Sequence, residues 1–189
     1  MADQAAPVAG DHGPLTLTLV VVSGAPGSGK STIASAIGAA LRFPVLSLDP
    51  VKEALADVLG LGAEDWSFQL GDAAAEVVFR LAAVFPDTVA EGWWRGARRV
   101  RAIAEFAGAT EVFCQCEPGL AAERVLSRIG HGRHPIHRDM ISPVISSDIA
   151  SLAATVTPLG LGGRAPIDVD TGLADASGRA IEALRAALN

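Results

Sequence analysis

Residues 24–31 read GAPGSGKS, and they follow the apolar run LTLTLVVV at residues 15–22. The octapeptide fits the pattern G-x-x-x-x-G-K-[ST], whose glycines allow successive backbone N–H groups to turn inward toward phosphate oxygens. Apolar residues recur at helical spacing over residues 33–41, so a helix is expected directly after this loop. A strand, a glycine-rich loop and a helix in this order predict a binding site for the phosphates of a nucleoside triphosphate.

The residues of this phosphate loop have distinct expected tasks. Lys30 is expected to reach the β- and γ-phosphates, and the hydroxyl of Ser31 is expected to ligate Mg²⁺. The helix that follows offers the positive end of its dipole to the anion. We therefore predict that the triphosphate is held by Gly24, Ala25, Pro26, Gly27, Ser28, Gly29, Lys30, Ser31 and Thr32.

The composition is that of one globular domain. Half of the 189 residues are hydrophobic and 19% are charged, and this length is sufficient for a single core. The formal net charge is −6, so the chain lacks the basic character of proteins that bind duplex nucleic acid. A small anionic ligand held by a local arginine cluster is compatible with this charge.

The first residues, the hydropathy and the cysteines indicate the expected cellular location of the protein. Residues 1–14 are rich in Ala, Gly and Pro and are expected to form a flexible tail before a single domain at residues 15–189. The tail lacks the basic start and apolar stretch of a signal peptide, and there is no run of about 18 apolar residues that would span a membrane. Cys114 and Cys116 face the same side of a predicted strand, which favours free thiols. We expect a cytoplasmic monomer or homodimer with no membrane or nucleic-acid partner.

Strand-like and helix-like segments alternate along the chain, which is typical of a parallel α/β sheet. A helix is predicted from the phosphate loop to about residue 42, and another from the last strand to residue 188. Further helices are predicted at residues 51–85 with turns near 60–62 and Gly71, 95–107, 120–129 and 143–154. The five predicted strands are residues 15–23, 43–48, 88–90, 111–116 and 166–170. Ligands of such sheets bind at the carboxyl ends of the strands.

Asp49 follows the second predicted strand and lies 19 residues beyond Lys30. A carboxylate at this strand end would face the γ-phosphate and could accept a proton from a substrate hydroxyl. Asp49 could instead cap a helix that begins at Pro50, and the two roles are compatible. Lys52, the one lysine besides Lys30, is a candidate substrate ligand.

Glu91 ends the third predicted strand and is followed by two of the three tryptophans, Trp93 and Trp94. Glu91 could support the Mg²⁺ shell through water or bind substrate, and it could equally be a strand-end carboxylate without a special task. The tryptophans, together with Trp66 and Phe68, could line an apolar substrate pocket. Ordinary core packing is an equally good explanation for each of these rings.

Arginines bracket a polar, glycine-bearing segment at residues 130–139, and they are Arg124, Arg128, Arg133 and Arg138. Phosphoryl transfer spreads negative charge over three oxygens, and a mobile arginine can stabilise that charge. We therefore favour a functional role for at least one of them over a merely solvated surface. Arg95 begins a second arginine-bearing helix and could reach substrate, although a surface role is the preferred interpretation of that helix.

Three histidines, His131, His134 and His137, recur in the same polar segment. A metal site is conceivable from their spacing, but the flanking arginines would repel a cation. Phosphate contact or plain exposure to solvent is the favoured interpretation.

Three motifs together resemble the small P-loop kinases. They are the phosphate loop, the segment LSLDPVKEAL at residues 46–55, and an Arg-x-x-x-Arg pattern before a lid, with RHPIH at residues 133–137 as its signature. The resemblance extends over residues 15–188 and includes chloramphenicol phosphotransferase, the zeta toxins, gluconate kinase and shikimate kinase. It is strongest to bacterial kinase-like proteins of the AAA ATPase family.

The resemblance implies a fold and a set of roles. The fold would be a three-layer α/β sandwich with a mostly parallel five-stranded sheet of nucleotide-kinase type, a helical substrate cap at residues 51–86 and an arginine-rich lid at residues 130–142. Asp49 would activate the acceptor hydroxyl, Arg124 and Thr171 would lie on the adenine side, and Arg133 would be a lid arginine. Residues 88–91, read as TVAE, lack the usual large aliphatics closed by aspartate, so the role of Glu91 is left open.

The leading hypothesis is a kinase that transfers phosphate from ATP, with Mg²⁺, to a hydroxyl of a small molecule. Antibiotics, nucleosides and sugar-like metabolites are the candidate acceptors, with a neutral and partly apolar molecule slightly favoured. A toxin-type kinase acting on a nucleotide sugar, or an ATPase without a small acceptor, is the alternative. A GTPase is disfavoured because no lysine follows Lys52, which excludes the late [NT]-K-x-D guanine motif.

Overall fold

A five-stranded parallel sheet forms the centre of the molecule. The computed structural model describes residues 18–62, 64–94, 96, 103, 106, 108–129, 133–140 and 145–189. Within them the sheet has the order β2-β3-β1-β4-β5, and each neighbouring pair runs parallel. The strands are β1 Leu19–Gly24, β2 Val45–Ser47, β3 Thr88–Glu91, β4 Thr110–Gln115 and β5 Ile167–Asp170. The predicted five-stranded α/β fold is confirmed, and the sheet is wholly parallel among these pairs.

Helices connect the strands and cover both faces of the sheet. They are α1 Lys30–Leu41, α2 Leu48–Leu59, α3 Glu64–Ala82, α4 Pro118–Ile129, α5 Ile145–Thr155 and α6 Ala176–Leu188. Two 3₁₀ helices lie at Pro135–Met140 and Leu161–Gly163. No helix among the described residues is long and apolar enough to cross a membrane. Most of the predicted helix at residues 95–107, and the predicted tail, lie outside the described residues.

Alternate side chains of β1 face two separate apolar layers. Leu19 and Val21 pack into a cluster with α3, where Val78 is fully buried. Val20 and Val22 pack on the opposite face with α1 and α6. Each buried side chain of this size contributes about 1.5–3 kcal/mol, so the two layers fix β1, and with it the start of the phosphate loop, at the middle of the sheet.

Three local predictions are wrong. The second strand ends at Ser47 and not at Leu48, because α2 begins at Leu48 with Ser47 as its N-cap residue, and Asp49 lies in the first helical turn. A helix start at Pro50 is wrong for the same reason. The turn expected at Gly71 is also absent, because α3 continues through it. A glycine costs a helix about 1 kcal/mol, and the burial of neighbouring Leu70 and Ala74 outweighs that cost.

Candidate active site

The phosphate loop folds around its own lysine. Lys30 is the first residue of α1, and its buried ammonium donates to the carbonyl of Ala25 at 2.8 Å. The loop also packs closely against α4, because a Cβ built on Gly27 would lie 2.1 Å from the carbonyl oxygen of Ala121. The φ of Gly27 is +79°, a value that side chains rarely adopt. The close approach to α4 and the positive φ both require glycine at position 27 of the loop.

Glu91 is buried at the end of β3 and faces the same loop. Its carboxylate accepts a hydrogen bond from the hydroxyl of Ser31 at 3.3 Å. Burial raises the pKa of Glu91, while Lys30 and a hydrogen bond from Ser47 lower it in part. Burial likewise lowers the pKa of Lys30, against the opposing influence of the Glu91 charge. The electrostatic influences of Lys30 and Glu91 on each other thus oppose the effect of burial on both groups.

The loop fits a phosphate and a hard cation on its own chemistry. Ser28 is 1% exposed, and its Oγ has no hydrogen-bond partner among the described residues. A buried hydroxyl without a hydrogen-bond partner is uncommon in a protein interior. It is consistent with a loop whose polar groups bind an anion. Ser31 and Glu91 supply oxygen donors of the kind that Mg²⁺ prefers.

Arg124 holds the loop from the side of α4 and β5. Its guanidinium donates to the hydroxyl of Thr171 at 3.0 Å, to the carbonyl of Thr171 at 3.1 Å and to the carbonyl of Gly27 at 3.4 Å. The Thr171 hydroxyl in turn donates to the carbonyl of Ser28 at 2.9 Å. Arg124 and Thr171 therefore lie beside the loop as a pair, where the sequence predicted nucleotide contacts.

Asp49 and Arg133 meet at the mouth of the site. The distance between Arg133 Nη2 and Asp49 Oδ2 is 4.0 Å, with the Asp49 side chain 55% exposed and that of Arg133 17% exposed. The Nε of Arg133 is buried without a hydrogen-bond partner among the described residues. The charge of Asp49 also acts on Lys30, whose pKa it raises against the effect of burial. Asp49 thus lies within electrostatic range of both the loop lysine and Arg133.

Two more acidic residues of α2 bind the segment that follows Arg133. His137 Nε2 lies 2.9 Å from Glu53 Oε1, and His134 Nε2 lies 3.1 Å from Asp57 Oδ1. Asp49, Glu53 and Asp57 are four residues apart and therefore share one helix face. Burial lowers the pKa of His137, the largest of several influences on it. Segment 133–140 is thus docked along α2, and no group of three potential metal ligands occurs in the described part of the chain.

Lys52 lies on the inner side of this docked segment. It is 7% exposed, and its ammonium donates to the hydroxyl of Ser67 at 2.7 Å. That hydroxyl donates to the carbonyl of Ile136 at 2.9 Å, and Ile136 is itself buried against α2 and α3. The contacts of Lys52 link α2 to α3 and to segment 133–140, so its predicted role as a substrate ligand is not what these contacts show.

A small cleft opens beside the first glycine of the loop. Its volume is about 210 Å³, below the roughly 300–1,000 Å³ of sites for drug-sized ligands. The ammonium of Lys30 lies 6.0 Å from the ring centroid of Trp93. None of the described side chains that line the cleft carries a formal charge, and they are Ser23, Trp93, Trp94, Thr155, Val156, Thr157 and Leu159, with Gly24 at the base.

The four aromatic residues predicted to line one pocket, Trp66, Phe68, Trp93 and Trp94, lie in different parts of the molecule. Trp94 is buried and donates its indole N–H to the carbonyl of Val22 at 3.1 Å, which makes it mainly a core residue. Trp66 donates to the carbonyl of Gly60 at 2.8 Å, and Phe68 is 60% exposed. Neither of these two rings lines the cleft beside Trp93.

Of the predicted site arginines Arg128 and Arg95, the structure describes only Arg128. Arg128 is exposed near the end of α4, and its charge contributes to lowering the pKa of Lys30. Arg95 lies outside the described residues, as do His131 and the side chain of Arg138. Cys114 and Cys116 are free thiols.

Sequence reasoning missed the acidic face of α2 and the buried carboxylate of Glu111. The face had a detectable signal, because acidic residues recur every fourth position at 49, 53 and 57. Glu111 had one as well, since it is the one charged residue of β4. Ser67 had none, because its partners Lys52 and Ile136 are 15 and 69 residues away.

A family match covers most of the chain. Residues 19–142 match the family AAA_33, which is described as an AAA domain. The chain belongs to this family. The matched range begins with β1 and includes the phosphate loop, Asp49 and Arg133. No curated protein matches the sequence significantly.

Solved structures of small kinases share the fold. A protein of Chloroflexus aurantiacus described as a candidate kinase is 28% identical, with a TM-score of 0.78 over 92% of this chain and 100% of that chain. Shikimate kinase from Acinetobacter baumannii, solved with shikimate, is 18% identical, with a TM-score of 0.66 over 92% and 94% of the two chains. A gluconokinase from Sinorhizobium meliloti 1021 is 21% identical, with a TM-score of 0.60 over 93% and 95%. The predicted resemblance to small P-loop kinases is thereby confirmed.

Proposed function

We propose that this protein transfers the γ-phosphoryl group of ATP to a hydroxyl of a small molecule. The observation that carries the proposal is the exposed carboxylate of Asp49, which lies within electrostatic range of Lys30 and 4.0 Å from Arg133. A carboxylate beside a phosphate cradle can accept the proton that a hydroxyl must lose when it attacks phosphorus. Membership of the AAA family and the fold shared with small kinases support the same chemistry.

The phosphate loop would hold the donor. Lys30 would place its charge against the β- and γ-phosphates, and the N-terminus of α1 would add its dipole. Ser31 and, through water, Glu91 would hold Mg²⁺, which would neutralise charge on the phosphate oxygens. The hydrogen bond from Ser31 to the buried Glu91 at 3.3 Å supports this assignment. Arg124 and Thr171 would keep the loop in its binding shape from the nucleotide side.

Phosphoryl transfer would take place beside Asp49, Arg128 and Arg133. The acceptor oxygen would form a bond to the γ-phosphorus as the bond to the β,γ-bridging oxygen breaks, and ADP would leave. The hydroxyl proton would move to Asp49. Arg133, with its unpartnered Nε, and Arg128 would stabilise charge on the transferring group. The docking of segment 133–140 would exclude water from the site.

The acceptor we propose is neutral and carries hydroxyls on a partly apolar body. The cleft beside Gly24 supports this class, since its described lining consists of aromatic, aliphatic and hydroxyl side chains without formal charge. A free carboxylate or phosphate on the acceptor would meet no charged side chain among the described lining residues and would cost desolvation energy. Sugar-like metabolites, nucleosides and neutral antibiotics meet this description, and inactivation of an antibiotic is one activity it allows.

Acceptor-dependent ADP release tests the proposal. The protein is incubated with ATP, Mg²⁺ and a panel of neutral and anionic hydroxylated compounds, including nucleotide sugars. We expect a neutral acceptor to stimulate ADP release and to gain one phosphoryl group by mass spectrometry. Stimulation by a nucleotide sugar alone would point to the toxin-type alternative. ADP release that no acceptor changes would indicate an ATPase and contradict the proposal.

A further inference from the structure

A buried carboxylate under the cleft has no part in the chemistry described so far. Glu111 lies on β4 and is 4% exposed, between strand neighbours that are themselves buried. Burying an ionisable side chain in the middle of a sheet is costly unless its oxygens are satisfied. The hydrogen-bond partners of Glu111 therefore indicate which part of the structure the buried carboxylate holds in place.

The oxygens of Glu111 accept hydrogen bonds from both sides of the cleft floor. Ser23, the residue before the phosphate loop, donates its hydroxyl to Oε1 at 2.5 Å. Leu159 donates its backbone N–H to both oxygens at 2.9 Å, and Gly160 donates its own to Oε2 at 3.1 Å. Ser23 and Leu159 both line the cleft. Glu111 thus joins Ser23, at the base of the phosphate loop, to the cleft wall formed by residues 155–160.

Apolar packing alone would already keep this wall near the sheet. Leu159 packs against the core cluster below it, and Leu161 is part of that cluster. Such packing is non-directional, whereas hydrogen bonds from neutral donors to a carboxylate are short and directional. The carboxylate therefore adds a defined distance between Ser23 and Leu159 that burial by itself would not set.

We propose that Glu111 is a positioning residue for acceptor binding. It fixes the wall formed by residues 155–160 relative to the phosphate loop, so that the acceptor hydroxyl is presented at the same place in each binding event. This inference rests on the proposed phosphotransferase function. Glu111 touches neither ATP nor acceptor and acts through Ser23 and Leu159.

Glu111→Gln tests the inference, because glutamine keeps the shape and one acceptor oxygen but turns an NH₂ group toward backbone donors. We expect the KM for the acceptor to rise about tenfold, with the KM for ATP changed by less than about twofold. Thr110→Val is the matched control on the same strand, since the Thr110 hydroxyl is buried without a hydrogen-bond partner among the described residues. This control should leave both KM values unchanged.

Hydrogen exchange at the amides of Leu159 and Gly160 gives a second measurement that needs no acceptor. We expect both amides to exchange at least about tenfold faster in Glu111→Gln and at the unchanged rate in Thr110→Val. Unchanged exchange in Glu111→Gln would overturn the positioning role whether or not the protein is a kinase. Faster exchange with equal changes in both KM values would reduce Glu111 to a stabilising role. Absence of acceptor-dependent turnover in the unmutated protein would instead reject the proposed function.

Discussion

Two carboxylates of the site carry the same charge in opposite surroundings. Glu91 is buried beside Lys30 and Ser31, and burial raises its pKa. Asp49 is more than half exposed and faces the mouth of the site. A buried carboxylate paired with a lysine suits a fixed structural task, whereas an exposed one can exchange a proton with an incoming hydroxyl. This difference supports the proposal that Asp49 is the base and that Glu91 supports the metal.

Asp49→Asn tests this division at the level of one residue. Asparagine keeps the size of the side chain but cannot accept the proton, so we expect acceptor-dependent kcat to fall by about 10²–10⁴. The KM for ATP should change by less than about twofold. Glu182→Gln, which alters an exposed carboxylate on α6, is the control and should retain full turnover. Full acceptor-dependent turnover by Asp49→Asn would show that the base is assigned wrongly.

Arg124→Ala tests the bracing of the phosphate loop. The change removes hydrogen bonds to Thr171 and Gly27, so the loop should bind ATP about tenfold more weakly. Isothermal titration calorimetry measures the Kd. Arg179→Ala, which removes an exposed arginine that bonds only within its own neighbourhood at Ala174, should leave the Kd unchanged. Equal weakening by both variants would contradict a specific role for Arg124.

At the level of elements, the loop depends on close contact with α4. Gly27→Ala introduces a side chain at a φ of +79° and 2.1 Å from a backbone oxygen. Gly60→Ala introduces the same methyl group at a φ of +87° into open space. Backbone strain should cost each variant about 1–3 kcal/mol, and the clash should cost Gly27→Ala about 1–3 kcal/mol more. Urea unfolding measures both, and equal losses would contradict the packing argument.

The docking of segment 133–140 on α2 should depend on pH through His137. Burial lowers its pKa, Asp49 and Glu53 favour the charged form, and Arg133 and Lys52 oppose it. Because the folded pKa lies below the unfolded value, the unfolded chain takes up the proton first as the pH falls. Stability is therefore complete above about pH 6.5 and declines below it.

His137→Gln removes this titration while retaining a hydrogen-bond donor. We expect the unmutated protein to lose thermal stability between about pH 7.5 and about pH 5.5, and the variant to lose less over the same interval. Differential scanning calorimetry at both pH values gives the comparison. An identical loss in the two proteins would mean that other groups cause the acid sensitivity.

At the scale of the whole molecule, the sheet brings together residues that are distant in sequence. Lys30 follows β1, Asp49 follows β2 and Glu91 ends β3, and the parallel order places these carboxyl ends along one edge. This arrangement was predictable, because alternating strands and helices imply a parallel sheet whose ligands bind at that edge. The phosphate loop was also predictable, since the strand before it and the helix after it adjoin it in sequence.

Other features were not predictable, because they depend on packing between distant segments. Helix α2 begins at Leu48, whose side chain is buried in the core. Gly71 is helical because it lies beside buried residues of α3. The contact of Lys52 with Ser67 was not predictable either, because Ser67 lies 15 residues away on another helix. Glu111 binds the backbone 48 residues away at Leu159, and a single sequence carries no sign of that pairing.

In the proposed reaction, phosphate moves from ATP to a hydroxyl of a bound acceptor. The most direct measurement follows a ³²P label from the γ-position of ATP in the presence of Mg²⁺ and an acceptor from the neutral panel. We expect label on the acceptor with the unmutated protein, and at least about 10²-fold less label with Asp49→Asn. Label that appears only as free phosphate, at a rate that neither acceptor nor Asp49→Asn changes, would contradict it.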